Sequence, residues 1–223
     1  MTDVRTIETR THGRYLVRTP TVPGPWPVLV GFHGYRETAD IHLDALARIP
    51  GSERWLLCAV EALHLFYTRE QDIVASWMTR QNRDEAIADN IAYVGIVLDA
   101  LDAEYDTSDV RVFVGFSQGG AMAYRAAAHY AGDALIVLAA DVPPELGTRN
   151  QEPGTTVPLP PVLIGRGTRD TWYTEVKHAA DLEMLRRLDV SVDTCVFDGG
   201  HEWSTAFYAE AARVLRQHER ITT

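Results

Sequence analysis

Residues 115–119 place one serine, Ser117, between two glycines in the pattern Gly-Phe-Ser-Gln-Gly. An apolar run precedes this pattern, and an alanine-rich segment typical of a helix follows it. A sharp turn from strand to helix crowds its neighbours, so the positions two before and two after its centre must lack side chains. Such a turn would also raise the serine hydroxyl above a helix N-terminus, whose free amides favour negative charge. The pattern therefore predicts that Ser117 is a nucleophile, and the alternative is an ordinary glycine-containing loop.

A serine hydroxyl needs a base that takes its proton and a carboxylate that orients the base. The sequence has eight histidines. In scaffolds that carry a serine on a Gly-x-Ser-x-Gly turn between strand and helix, the acid and the base both follow the nucleophile along the chain. We predict His201 as the base, because it follows the last apolar run in a glycine-containing loop, whereas His218 lies near the C-terminus. Asp170 is the predicted acid. Its rival Asp141 enters a proline-rich loop, and Asp198 is interpreted as a turn-forming residue.

Acyl chemistry also needs donors for a developing oxyanion. Gln118 directly follows the serine, so its backbone amide would be one donor. Residues 31–35, which read Gly-Phe-His-Gly-Tyr, follow an early apolar run, and the amide of Tyr35 would be the other donor. Gly34 would let this backbone approach the site, and His33 is interpreted as a residue that braces the loop by hydrogen bonds.

Short apolar runs alternate with longer segments of helical period, a pattern typical of a mostly parallel sheet flanked by helices. Most runs are continuously apolar, which indicates strands covered on both faces. The predicted strands span residues 14–18, 28–32, 55–60, 110–115, 134–140, 162–165 and 192–197. The predicted helices span residues 39–48, 118–130, 174–188 and 203–217, with a further helix that follows an Asn-x-x-Glu capping pattern at 82–85. We expect one domain over residues 1–223, with a central sheet of about seven strands.

The bulk properties of the chain narrow its partners. A formal net charge of -10 argues against nucleic acid and against stable association with an anionic membrane. Cys58 and Cys195 both lie in apolar runs, which indicates buried thiols in a reduced compartment. No stretch resembles a signal peptide or a membrane span, so we expect a cytoplasmic monomer or homodimer. No His-x-x-x-His or Cys-x-x-Cys spacing occurs, and we expect neither a metal nor a cofactor.

Four segments together resemble the phospholipase/carboxylesterase family of the α/β-hydrolases, which includes acyl-protein thioesterases. They are Phe-His-Gly-Tyr at 32–35, Gly-Phe-Ser-Gln-Gly-Gly at 115–120, Gly-x-x-Asp at 167–170 and Gly-His at 200–201. The second is the most specific, because general hydrolases tolerate many residues beside the serine. The resemblance extends from about residue 28 onward.

This resemblance implies an α/β-hydrolase fold without a large cap domain and a metal-independent serine esterase acting on a small-molecule ester. Ser117, Asp170 and His201 would form the catalytic triad, with the amides of Tyr35 and Gln118 as the oxyanion hole. An acyl thioesterase or lysophospholipase would use the same residues. A dienelactone hydrolase is disfavoured because that chemistry prefers cysteine as the nucleophile. A ligand-binding relative without turnover is the remaining alternative.

The chain departs from the family at two places. The family usually has Leu-Gly after its His-Gly, where this chain has Tyr35 and Arg36. Shortly after the acid the family usually has Val-Pro, where this chain has Trp172, Tyr173 and Thr174. Both changes add bulk near the predicted site, so we expect short to medium acyl chains.

Aromatic and sulfur-containing side chains within residues 61–80 are candidates for contacts with substrate. Phe66, Trp77 and Met78 lie in this segment, which follows a predicted strand end, and Trp77 resembles a tryptophan that the family carries there. With Trp172 they are predicted to line an apolar pocket. The alternative is ordinary packing of a long connection.

Overall fold

Seven strands form one sheet in the computed structural model, which describes residues 2–147 and 158–219. In chain order the strands of the protein are β1 (Tyr15–Arg18), β2 (Trp26–Phe32), β3 (Leu56–Val60), β4 (His64–Tyr67), β5 (Ile73–Ser76), β6 (Thr107–Phe116), β7 (Ala134–Leu138), β8 (Val162–Gly167) and β9 (Val192–Phe197). The large sheet has the order β1-β3-β2-β6-β7-β8-β9. Its neighbours are parallel except at the edge, where β1 runs antiparallel to β3.

Five α-helices accompany these strands. They are α1 (Ala39–Ala47), α2 (Arg83–Glu104), α3 (Gln118–His129), α4 (Glu175–Arg187) and α5 (Thr205–Glu219). All five predicted helices and all seven predicted strands of the sheet are present, with small differences at their ends. None of the helices in the described ranges is long and apolar enough to cross a membrane.

Continuous burial of the central strands explains their uninterrupted apolar sequences. Every residue of β3 and of β7 is buried, as expected for strands with helices on both faces of a parallel sheet. Cys58 and Cys195 are free thiols and both are buried, as their apolar surroundings predicted. Burial raises the pKa of Cys58 to about 12, so this thiol stays protonated and acts as a small apolar side chain.

Two features differ from the sequence expectations. Residues 61–80 contain the antiparallel hairpin of β4 and β5, which pairs His64 with Ser76 and is separate from the large sheet. Burial alternates along β4, whereas three of the four residues of β5 are buried. Strands of four residues give little periodic signal, so the hairpin differs from the long connection that the sequence suggests. Asn82 takes the N-cap position that the pattern predicts, because α2 begins at the next residue. The capping interaction itself is absent, since the Asn82 backbone is left-handed at φ 51° and its side chain makes no capping hydrogen bond.

Candidate active site

Ser117 lies between the end of β6 and the start of α3, in a backbone conformation that residues other than glycine rarely adopt. Its φ is 52° and its ψ is -124°, which is the strain of a sharp turn from strand to helix. A Cβ atom on Gly115 would lie 2.4 Å from the carbonyl oxygen of Gly119, and one on Gly119 would lie 2.1 Å from that of Phe32. The Ser117 amide donates to the carbonyl of Leu138 at 2.9 Å, which ties the turn to β7. Both flanking glycines are therefore sterically required.

The structure brings Ser117, His201 and Asp170 together in a continuous series of hydrogen bonds. The Ser117 hydroxyl donates to Nε2 of His201 at 2.8 Å, and Nδ1 of His201 donates to Oδ2 of Asp170 at 2.8 Å. The Asp170 side chain is fully buried, while about a quarter of the His201 side chain is exposed. A buried carboxylate on one ring nitrogen leaves the other nitrogen free to accept the serine proton.

The loop after β8 aims the Asp170 carboxylate at the histidine. Its other oxygen, Oδ1, accepts hydrogen bonds from the amides of Trp172 at 2.8 Å and Tyr173 at 2.9 Å. A Cβ atom on Gly167 would lie 2.2 Å from the carbonyl oxygen of Gly200, so the loops that carry the acid and the histidine pack backbone to backbone. These contacts hold the carboxylate in a single orientation.

The rival residues have other partners. Asp141 accepts a hydrogen bond from Nζ of Lys177 at 3.0 Å, and Asp198 pairs with Arg169 at the surface. His218 hydrogen-bonds to the carbonyl of Val214 on its own helix. Each rival therefore has a partner other than Ser117 and His201.

The two amides predicted as oxyanion donors belong to Tyr35 and Gln118. Gln118 is the first residue of α3, so its N–H is one of those that a helix leaves unpaired. Within residues 2–147 and 158–219, neither amide donates a hydrogen bond to a protein acceptor. Tyr35 follows β2 in a loop whose next amide, that of Arg36, donates to the carbonyl of Ala75 at 3.1 Å.

His33 braces this loop, as the sequence predicted. Its ring is fully buried, its Nδ1 donates to the carbonyl of Gly34 at 2.7 Å, and its Nε2 accepts from the amide of Ala62 at 3.1 Å. Because Nδ1 faces a carbonyl and Nε2 accepts from an amide, the ring is neutral and carries its single proton on Nδ1. Burial lowers the pKa of His33, which also favours the neutral ring. Both ring nitrogens of His33 are thus engaged in holding the loop.

Glu37 is a residue of this loop that the sequence reasoning missed. Its Oε2 accepts a hydrogen bond from the amide of Gly34 at 2.7 Å. Burial raises the pKa of Glu37, while the Gly34 hydrogen bond and the nearby His201 lower it. A glutamate that accepts from the amide three residues before it has the spacing of the reciprocal half of a capping box, which is the signal that could have found this contact. Glu37 thus holds the backbone on either side of the Tyr35 amide.

The structure places Trp77 in the core rather than at a cavity. Its side chain is 0% exposed, and its ring packs against Phe32 at 5.5 Å and His33 at 5.2 Å between ring centroids. Its indole N–H donates to the carbonyl of His33 at 2.8 Å. Because the chain turns inward directly after β5, the indole supports the Tyr35 loop from beneath and offers no surface to a substrate.

The Gln118 side chain has a structural contact that sequence reasoning also missed. Its Oε1 accepts from the amide of Trp77 at 2.9 Å and lies 3.3 Å from the Ser76 hydroxyl. Its Nε2 donates to the carbonyl of Met78 at 3.5 Å. One side chain therefore joins the turn that carries Ser117 to the end of the hairpin.

Two cavities meet at Gln118. The larger, here called the groove, has a volume of about 1500 Å³ and is lined by Tyr35, Phe66 and Met78 among others. The rings of Tyr35 and Phe66 stack at 5.6 Å on its wall. The smaller, here called the pocket, has a volume of about 200 Å³. It is lined by Ser117, Gln118, His201, Trp172, Asp141 and Lys177, with Tyr173 and three alanines. Of the four residues expected to contact substrate, Phe66 and Met78 thus lie on one cavity and Trp172 on the other.

Metal chemistry has no obvious site in this arrangement. Across the described parts of the chain, no group of three or more His, Cys, Asp or Glu side chains is placed to hold a metal ion.

Several solved structures resemble this chain in fold, although sequence comparison finds no match. No protein-family model and no curated protein sequence matches the chain. The Bacillus cereus carboxylesterase is similar in structure at a TM-score of 0.71 and 17% identity, covering 92% of this chain and 94% of that one. Arabidopsis thaliana SOBER1 gives a TM-score of 0.72 and 18% identity, with 86% and 99% covered. A phospholipase/carboxylesterase from Dyadobacter fermentans gives 0.69 and 19%, with 92% and 97% covered.

These similarities confirm the predicted α/β-hydrolase fold. The relatives match the chain over most of both lengths. In the described residues the hairpin of β4 and β5 is the one pair of strands outside the large sheet, and no large cap domain is present there. At such low identities the shared property is the architecture.

Proposed function

We propose that this chain is a serine hydrolase that cleaves carboxylic esters with short to medium acyl chains through a covalent acyl-enzyme. The observation that carries the proposal is the hydrogen-bonded series from Ser117 through His201 to the buried Asp170. Two of the structures with this fold are named as a carboxylesterase and a phospholipase/carboxylesterase, which supports ester chemistry.

The first half of the reaction forms the acyl-enzyme. Nε2 of His201 takes the hydroxyl proton while Oγ of Ser117 attacks the carbonyl carbon of the ester. Asp170 accepts from Nδ1 and stabilises the imidazolium that forms. The imidazolium then gives its proton to the leaving oxygen as the carbon–oxygen bond breaks. A water molecule then attacks the acyl carbon while the same histidine takes its proton. As the bond to Oγ of Ser117 breaks and the acid is released, the imidazolium returns that proton to Oγ.

The negative charge of the tetrahedral intermediate needs preorganised donors. The amides of Tyr35 and Gln118 are assigned this role, because both are unpaired within the described chain and flank the serine turn. One such donor is typically worth about 3 kcal/mol of barrier. The contacts from Glu37, His33 and Trp77 serve to hold the Tyr35 loop at its working distance.

The groove favours a second candidate. Its volume of about 1500 Å³ leaves room for a long acyl chain, as an acyl thioesterase or lysophospholipase would need. The stacked rings of Tyr35 and Phe66 narrow the groove where they line it, which supports a preference for shorter acyl chains. Chain length is therefore the property that separates the two candidates.

The test is kcat/KM for p-nitrophenyl esters from acetate to palmitate. Wild type should peak at short to medium chains, and Ser117→Ala should lose at least about a thousandfold in kcat because the nucleophile is gone. Ser108→Ala, a substitution at the far end of β6, is the matched control and should behave as wild type. A peak at long chains would favour the second candidate. Binding of esters without turnover would make the protein a non-catalytic relative.

A further inference from the structure

The two cavities divide a bound ester into its two halves. The leaving oxygen must receive its proton from Nε2 of His201, so the leaving group has to lie on the histidine side of the scissile carbon. Among the lining residues within the described chain, His201 belongs to the pocket, whereas the groove begins at Tyr35 and Gln118. The alcohol part of the ester therefore occupies the pocket, and the acyl part extends into the groove.

An ion pair lies on the wall of the pocket. Nζ of Lys177 donates to Oδ2 of Asp141 at 3.0 Å, and both side chains are about half exposed. Lys177 is the single lysine of the sequence, in which every other fixed cation is an arginine. Lys177 lies on α4 and Asp141 follows β7, so two elements that flank the site meet through this pair.

The charges of the pocket disfavour an ionic leaving group. An anion attracted by Lys177 would be repelled by the neighbouring Asp141, and a cation attracted by Asp141 would be repelled by Lys177. Neither kind of charged group therefore gains much net attraction from the pair. Asp181, which accepts from the hydroxyl of the lining residue Tyr173, is a further acid that disfavours an anion. A purely alkyl group would displace water from the ion pair and offer no hydrogen bonds in its place, which costs binding free energy.

A neutral group with several hydroxyls meets all of these conditions. Asp141 has free acceptor sites and Lys177 has free donor sites beyond their mutual bond. Trp172 is 75% exposed on the same pocket and offers a flat apolar face to carbon-bound hydrogens. We infer that the pocket selects esters whose leaving group is an uncharged polyol, such as glycerol or a sugar, held by Asp141, Lys177 and Trp172. This inference rests on the proposed ester hydrolysis and names the substrate class of that reaction.

The experiment compares four butyrate esters that differ only in the alcohol: glyceryl monobutyrate, propyl butyrate, the butyrate of hydroxypropionate, and butyrylcholine. They share one acyl-enzyme, so kcat/KM isolates the step in which the leaving group is bound and expelled. We expect glyceryl monobutyrate to exceed propyl butyrate in kcat/KM by about tenfold, as one or two hydrogen bonds to charged groups would give. The anionic and cationic esters should fall below glyceryl monobutyrate.

Variants of the lining residues test whether the ion pair causes the preference for glyceryl monobutyrate over propyl butyrate. Asp141→Asn and Lys177→Met should each reduce the glyceryl-to-propyl ratio of kcat/KM towards one, and Trp172→Ala should reduce it as well. Arg187→Met removes an exposed cation at the far end of α4 and is the matched control, for which the wild-type ratio is expected. Because the ratio compares two substrates on one variant, a partial loss of folded protein does not alter it.

The outcomes separate this inference from the proposed function. Equal kcat/KM for the glyceryl and propyl esters, or a preference for a charged ester, would overturn the polyol assignment while leaving ester hydrolysis intact. A ratio that stays unchanged in both Asp141→Asn and Lys177→Met would also overturn it. Failure of wild type to cleave any of the four esters or p-nitrophenyl butyrate would overturn the proposed function and this inference together.

Discussion

Replacing Asp181 with asparagine should remove a pH dependence of folding stability that this buried carboxyl creates. Asp181 is 6% exposed, and its Oδ2 accepts from the Tyr173 hydroxyl at 2.8 Å. Burial raises the pKa of Asp181 from 3.8 to about 6. The hydrogen bonds from Tyr173 and Val142 lower this pKa, Asp141 raises it, and Lys177 lowers it. Tyr173 itself lines the pocket.

The sign of the effect follows from proton binding. A carboxyl whose pKa is higher in the folded chain than in the unfolded chain binds protons preferentially when folded. Its contribution to stability is therefore fully present below pH 3.8 and is lost as the pH rises through about 6. Over the whole range between the two pKa values the free energy of unfolding changes by about 3 kcal/mol. Over the single pH unit between about pH 6 and pH 5 it changes by about 1.4 kcal/mol.

The assay is urea unfolding of wild type and Asp181→Asn at about pH 7.5 and about pH 5. On going to the lower pH, wild type should gain about 1.4 kcal/mol relative to the variant, because asparagine keeps an acceptor for the Tyr173 hydroxyl but cannot take up a proton. Glu175→Gln, at the exposed start of α4, is the control and should follow wild type at both pH values. Parallel curves for wild type and Asp181→Asn would refute the reasoning.

Two further predictions concern the loop that carries the Tyr35 amide. Glu37→Ala should lower kcat/KM for p-nitrophenyl butyrate about tenfold, mainly through kcat, because the Gly34 amide loses its side-chain acceptor. Glu37→Gln keeps an acceptor oxygen and should lose less, and an unchanged kcat in Glu37→Ala would contradict this role. Trp77→Phe keeps an aromatic ring but leaves the buried carbonyl of His33 without its donor, so urea unfolding should report a loss of about 1 to 3 kcal/mol, and an unchanged midpoint would show that the contact is unimportant.

The fold could be read from the sequence because its strongest signals are local. Buried parallel strands need uninterrupted apolar runs, and α2 presents its buried residues at helical spacing, so both appear in the order of residue types. The turn at Ser117 was equally readable, because backbone contacts at 2.4 Å and 2.1 Å exclude any side chain at Gly115 and Gly119. A steric requirement of this kind leaves a pattern in the sequence itself.

Contacts between segments distant in the chain leave a weaker pattern. Asp170 and Asp141 both follow apolar runs, and their difference lies in partners 31 and 36 residues away, His201 and Lys177. Trp77 illustrates the same difficulty. Its position after a strand end suggested contact with substrate, yet burial of the indole and its bond to the His33 carbonyl depend on packing that no local window contains.

Gln118 takes part in both a local feature and a contact between distant segments. Its backbone amide could be predicted from its position after the serine, whereas its side chain holds the amide of Trp77 across 41 residues. Trp77 in turn donates to His33, whose ring fixes the carbonyl of Gly34 beside the Tyr35 amide. The two amides assigned to the oxyanion are therefore linked through one continuous set of buried hydrogen bonds. A change in the hairpin that displaced Trp77 would move one of these amides relative to the other, so the hairpin is linked through hydrogen bonds to the turn that carries Ser117.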